Sequence, residues 1–317
     1  MKIKLLFSLF FLFIFINKIT FSQCCGAGSP VAGDADQKGM RKKSWKVFLF
    51  YKYSFSDSYY KGENKLNLPS TAGLIKSSDF NYSEFNAIYG ITNKLSVHAN
   101  IGYYLNKSAD YKNNIFKIQS GQGLADASLV FKYTMYNNIS NKFDITSGLG
   151  IKLPVGVFGQ QKDGIILPIS LQPSSGSYKY IGNILIFKGF MDGKLNFLSF
   201  NSIEVATKIY SDFFKNFKYG NLYINSFFLN YFFKQKFAGI IQLRNECREK
   251  ETEDGVKNAE SGNNVLYFAP AINYKFLKSF NITASFDIPI YRKYNGIQMG
   301  NKYSFSLRLA KDFGLCK

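Results

Sequence analysis

The chain has 317 residues, enough for one large barrel or two soluble domains, and carries a formal charge of +19. Aromatic residues make up 18%, with 33 Phe and 22 Tyr against one Trp, and the hydrophobic content of 46% coexists with a slightly negative mean hydropathy. No basic cluster or nucleic-acid motif accompanies the charge, which excludes a nucleic-acid partner and leaves a cationic rim at strand ends and loops, facing anionic headgroups or solutes.

Met1 to Phe21 has the layout of a secretory signal: Lys2 and Lys4, then the apolar run Leu5 to Ile16. Thr20-Phe21-Ser22 supplies a small-x-small cleavage site, so residues 1–22 are predicted to be removed and the mature chain to start at Gln23. A lipid anchor would need a small residue just before Cys24 or Cys25, where Gln23 and Cys24 stand instead. Residues 23–43 are Gly-rich, small and polar, and read as a flexible periplasmic segment ahead of a barrel over 44–317. After the signal no apolar run is long enough for a membrane helix.

From Trp45 onward, apolar and polar residues alternate with period two, the mark of a strand with one apolar and one wet face. Strands are predicted over Trp45 to Phe55, Tyr82 to Ile91, Leu95 to Leu105, Leu124 to Met135 and Phe143 to Val155. A loop, Asn106 to Gly123, separates the third and fourth. After a long loop, Gly156 to Ser177, come Tyr178 to Phe190 and Leu195 to Tyr210, flanking the tight-turn signal Met191-Asp192-Gly193-Lys194. Alternation weakens in the second of these, and a bulge near Phe200 is expected to restore the phase. Phe217 to Phe233, Phe237 to Glu249 and Val265 to Phe276 follow. A closing hairpin over Phe280 to Phe313 is the cleanest: Ile282, Phe286 and Ile288 alternate with Thr283, Ser285 and Asp287, then Phe305, Leu307 and Leu309 with Ser306 and Arg308.

The connections alternate short and long. An even number of strands, short periplasmic turns and longer outer loops make this an all-β chain: a transmembrane antiparallel up-and-down β-barrel of about twelve strands with both termini in the periplasm. Its expected surroundings are outer-membrane lipid and lipopolysaccharide, with the barrel-assembly machinery as partner during insertion.

The sequence resembles the outer-membrane transporters grouped with the phenol meta-pathway (MetA-type) proteins, in the form found in Bacteroidota-type bacteria. The carrying residues are the start Cys24-Cys25-Gly26-Ala27-Gly28-Ser29-Pro30-Val31-Ala32-Gly33 and Tyr89-Gly90-Ile91-Thr92-Asn93-Lys94. Ile288-Pro289-Ile290-Tyr291, with Asn295-Gly296, Gln298 and Gly300, completes them. The resemblance implies a barrel and the passage of small, often apolar molecules across the outer membrane. In place of the usual terminal aromatic, Phe313 is followed by Gly314-Leu315-Cys316-Lys317.

Period two also assigns an inward charged set: Lys46, Lys52, Asp126, Lys132, Lys152, Glu204, Lys208, Arg244, Glu246, Asp287 and Arg308. Either these line a polar channel that selects solute, or they pair and fill a narrow lumen. Arg244, Glu246, Asp287 and Arg308 come from late strands and are expected to form one network. His98, the only histidine, falls on an inward position between Ser96 and Asn100. General-base work would require a nucleophile in hydrogen-bond reach, and a lumen histidine without a catalytic role is the simpler reading.

An oxidising exterior permits disulfides. Cys24 or Cys25 could bridge to Cys316 where the first and last strands meet, or the vicinal pair could hold a soft metal, or the thiols could stay reduced; Cys247 has no evident partner in the sequence. Without a nearby His, no metal and no cofactor is expected. The expected function is a passive, non-enzymatic channel or transporter for a small-molecule solute. The alternatives are a closed structural or adhesive barrel with partner-binding outer loops, and a membrane-embedded hydrolase centred on His98.

Overall fold

A computed structural model describes residues 40–67, 75–111, 118–209, 211, 214, 216–277 and 279–314. The signal segment, Cys24, Cys25 and Cys316 lie outside these residues. Eleven strand elements close a ring: β1 (Trp45–Gly62), β2 (Ile75–Gly90), β3 (Leu95–Tyr111), β4 (Ile118–Asn138), β5 (Phe143–Leu153) and β6 (Lys179–Phe190) come first. β7 (Leu195–Ala206), β8 (Leu222–Lys234), β9 (Phe237–Arg248), β10 (Asn263–Leu277) and β11 (Phe280–Phe313) complete it. One three-residue strand, Asn64–Leu66, pairs with the end of β1 outside the ring.

Every neighbouring pair is antiparallel, including the closing pair in which Trp45 faces Phe313 and Tyr53 faces Phe305. An all-antiparallel ring requires an even number of passes. β11 supplies the even count: its 34 residues pair with β10 from Phe280 to Tyr294 and with β1 from Tyr294 to Phe313, in opposite directions. It turns back around Gly296, whose φ of 51° is readily open only to glycine. The wall therefore crosses twelve times, as the sequence predicts.

The period-two assignments hold on the strands, but Lys208, assigned inward from the sequence, lies beyond the end of β7, where the ladder no longer dictates its side, and is exposed. On β1, Lys46, Phe48, Phe50, Lys52 and Ser54 are buried in the lumen, while Trp45 and Leu49 point out. On β11, Asn281, Thr283, Ser285 and Asp287 point in, and Ile282, Phe286, Ile288 and Ile290 point out. Paired aromatics brace the outer face, such as Phe237 with Tyr274 (centroids 4.6 Å apart) and Trp45 with Tyr89 (4.5 Å).

Several predicted boundaries differ from the structure. β1 runs past Phe55 to Gly62 and β2 begins at Ile75, and the loop predicted over Asn106 to Gly123 is largely strand, in β3 to Tyr111 and β4 from Ile118. The reason is that beyond the hydrocarbon a ladder needs no apolar face, so Ser, Asn and Lys continue it without alternating hydrophobicity. At the other extreme, β7 stops at Ala206 and β8 starts at Leu222, and in the chain between them Lys218 bridges to Lys208 and to Thr252. The bulge expected near Phe200 is absent, because β7 keeps unbroken register with β6 and β8. The weak alternation arises from side-chain choice: Leu198 and Phe200 turn into the lumen, and Ser199 and Asn201 take outward positions.

The lumen is thus partly apolar. Leu185, Phe187, Leu198, Phe228 and Ile240 form one buried cluster inside it, towards the short-turn end of β6 to β9. Phe48, Phe50, Phe80, Tyr82, Ile88 and Tyr104 form a second on the β1 to β3 side. Together they narrow the passage.

Leu149 stands outward mid-strand on β5 and is 74% exposed, which is stable only if lipid covers it. Leu149→Arg is expected to destabilise the barrel in bilayers by ~2–4 kcal/mol, whereas Ile139→Arg, in the short turn after β4, costs less than ~1 kcal/mol, both read by urea unfolding in liposomes.

Candidate functional site

Alternation on β9 aims Gln242, Arg244, Glu246 and Arg248 inward, and alternation on β11 aims Asp287 at them. Arg244 donates from Nε to Glu246 Oε1 at 2.8 Å and from its terminal nitrogen to Asp287 Oδ2, also at 2.8 Å. Lys52 Nζ, from β1, reaches the same Asp287 oxygen at 3.3 Å. The Tyr267 ring lies 4.7 Å from the Arg244 guanidinium carbon. Arg244 is 1% exposed, so its charge persists only because two carboxylates and a π-face replace water. This network ties β9, β11 and β1 together across the closing seam.

The seven lumen candidates therefore divide. Arg244, Glu246 and Asp287 are brought together as expected, with Lys52 as a member that was not foreseen in that role. Arg308 instead stacks on Phe48, its guanidinium carbon 4.1 Å from the ring centroid, and joins His98, Lys132 and Lys152 along the wall of a cavity of about 280 Å³. A second cavity of about 50 Å³ lies beside the Lys52 face and shares Leu222 and Arg248 with the first.

The large cavity has a polar wall and a lid. On β5, Lys152 Nζ donates to both Glu204 oxygens, at 2.7 and 2.9 Å. Glu84 accepts from the Tyr82 hydroxyl at 2.6 Å and from Asn86 Nδ2 at 2.8 Å. His98 Nε2 lies 3.1 Å from Ser96 Oγ, two residues away on the same face. The lid is the connection 154–178. Asp126 of β4 accepts from Ser174 Oγ (2.6 Å), Ser175 N (2.9 Å) and Ser175 Oγ (2.6 Å), with Lys179 Nζ at 3.9 Å. Gln172, 1% exposed, donates to the Leu167 and Gln160 carbonyls, and Lys107 Nζ donates to the Gln172 carbonyl at 3.0 Å. A carboxylate with three short charge-assisted bonds is a firm latch.

The connection 249–262 turns Glu251 and Ser261 inward while 253–260 are exposed. The Glu251 side chain is 8% exposed, and burial, with Glu253 adding to it and Arg248 opposing it, raises its carboxyl to about 7. Burial likewise pushes up the phenol of Tyr219, in the connection between β7 and β8.

Lys179, Tyr219, Arg248, Glu251 and the Ser174–Ser175 latch were not among the residues singled out from the sequence. Arg248 was within reach of it, as the next inward position after Gln242, Arg244 and Glu246. The lid was not, since nothing in a Pro, Gly and Ser-rich loop says whether it folds inward. Cys247, on the outward parity of β9, faces Tyr223 and Asn264 across the ladder.

No protein-family model matches the chain, and no curated protein sequence does. Solved structures do match in shape. An outer membrane channel from Pseudomonas putida F1 superposes with a TM-score of 0.72 at 12% identity, over 90% of this chain and 100% of that one. The β domain of the Bordetella autotransporter BrkA gives a TM-score of 0.50 at 8% identity, over 86% of this chain and 100% of its own. The KdgM porin in complex with oligogalacturonate gives 0.46 at 8% identity, over 84% and 99%. At these identities the likeness shows the fold alone, that of an outer-membrane β-barrel, and the MetA-type resemblance is not confirmed.

Arg244→Met is expected to cost ~3–5 kcal/mol by leaving Asp287 and Glu246 buried without their main partner, and Arg244→Met with Asp287→Asn to recover part of it, measured as urea midpoints in micelles. The Glu251 carboxyl binds its proton more tightly folded than unfolded, so segment 249–261 should lose stability as pH climbs from about 4.5 to about 7 and gain nothing beyond. Protection factors of that segment, with the intrinsic base-catalysed rise of exchange divided out, should fall over this range, and Glu251→Gln should leave them flat.

Proposed function

We propose that this chain is a passive outer-membrane channel for small solutes. The observation that carries the reading is a closed wall, apolar outside, around a cavity of about 280 Å³ lined by Glu84, Asn100, Lys132, Lys152 and Glu204. A protein built only to stand in a membrane gains little from a wet interior, since every buried charge must be compensated. In this reading the short turns and both termini face the periplasm and the long connections face outward, as is usual for outer-membrane barrels. Lipopolysaccharide and outer-leaflet lipid would meet the long-loop end, and the assembly machinery would act on the closing hairpin.

Passage would be governed by the lid. Solute enters beside 154–178, meets the paired charges of β4 to β7, and leaves past the apolar clusters near the short turns. The MetA-type resemblance favours a solute with an apolar part, and the aromatic lining (Phe50, Tyr82, Tyr104, Phe200) accommodates one. The reading gives the His98–Ser96 contact, 3.1 Å, a structural part in the lumen wall rather than a catalytic one. A closed barrel whose outer loops bind a partner is the second reading, favoured by the latching of 154–178 over the cavity.

Asp126→Ala removes all three latch bonds. It should raise single-channel conductance in planar bilayers, or swelling rates of liposomes with small sugars, at least several-fold. Absence of flux in both the native protein and Asp126→Ala would leave the closed-barrel reading standing instead.

A further inference from the structure

Lys152 and Lys179 face each other directly across the β5–β6 ladder, both pointing into the lumen. Like charges in direct register oppose each other and persist only with compensation. Glu204 takes Lys152, and Asp126 is shared between Lys179 and the lid. A third cation, Arg248, enters the same space from β9 within electrostatic reach of Lys179, Glu204 and Glu251. Among the described residues no carboxylate comes within 4 Å of its guanidinium. Arg248 borders both cavities, so this charge stands where the lumen is open. The nearby Glu251 carboxyl, raised to about 7, neutralises it only in part near neutral pH.

We propose that Arg248 and Lys179 form a binding site in the large cavity for a small monocarboxylate with an apolar or aromatic body. The inference rests on the channel reading and assigns its solute class. Guanidinium presents paired donors that match a carboxylate, and Lys179 of β6 adds a point charge to the same cavity. A dianion fits less well, because Glu204 and Asp126 stay in place and repel it. The body has somewhere to go: Ile181, Phe200, Leu222 and Ile224 line the same cavity, and the Tyr219 ring lies 5.1 Å from Lys179 Nζ. The volume of about 280 Å³ suffices for a single ring, since a cavity of about 150 Å³ already admits benzene.

Benzoate and its neutral analogue benzyl alcohol are titrated calorimetrically into the purified full chain in detergent micelles. Benzoate should bind at least 10-fold more tightly than benzyl alcohol. Arg248→Gln should lower benzoate affinity at least 10-fold and leave benzyl alcohol unchanged; Lys179→Gln, with the same expected pattern, is read if Arg248→Gln fails to show the folded barrel's heat-modifiable mobility. Equal binding of the two probes, an unaltered benzoate affinity in the folded variant, or no benzoate binding would each overturn the site. Bilayer conductance in KCl is measured on the same preparation, so that conductance without benzoate binding rejects the site alone, and binding without conductance rejects the channel alone.

Discussion

No backbone donor or acceptor in a membrane wall can be left for water to satisfy, and the whole chain is arranged around that constraint. It demands a ring, and an antiparallel ring demands an even number of passes. Everything else is accommodated to this: the short turns that reverse each strand, the long connections at the opposite end, and the 34-residue last element that must serve as two strands. The closing seam is also where the lumen is most heavily cross-linked. Lys52 of β1, Asp287 of β11 and Arg244 of β9 share one network, so the strand pair with the largest sequence separation is reinforced from inside.

Once the wall is fixed, its interior faces a second problem. Twelve passes enclose a space narrow enough for opposite walls to touch, and alternation sends whatever lies at every second position into it. The chain resolves this in two ways. Near the short turns of β6 to β9 it fills the space with Leu185, Phe187, Leu198 and Phe228; elsewhere it leaves a cavity that runs from Ile88 and His98 to Ser174, and covers it with a latched connection. Beside β6 to β9 the interior is apolar and packed, and beside β1 to β5 it keeps polar, charged walls.

The wall was legible in the sequence because hydrocarbon imposes a period of two on every strand that crosses it. The inward parity of Lys46, Lys132, Lys152, Arg244, Asp287 and Arg308 follows from the same rule. Where the rule stops applying, the reading stopped too. Polar strand extensions such as Ser56 to Gly62 and Ile118 to Gly123 have no lipid to face, so nothing in their composition distinguishes them from loops. On β7 the rule was obeyed but disguised by Leu198 and Phe200 inside and Ser199 and Asn201 outside, which imitated a phase break. The candidate site was half visible: parity gave the charges, but their partners depend on strand tilt and on which loops fold inward. Arg308 beside Phe48 and Asp126 under Ser174 are facts of three-dimensional register alone.

The pairing of Trp45 with Phe313 also fixes the order in which the molecule can be made. Ten ladders join elements that follow one another in the chain and can form as each arrives. The ladder between β1 and the returning limb of β11 joins the two ends of the barrel and carries the greatest loop-closure entropy. It can form only after the last residues are delivered, and until then β1 and the growing edge both present unpaired backbone. Assembly is therefore a single late event for the seam, and the Lys52–Asp287–Arg244 network, which needs both edges present, is a marker of its completion.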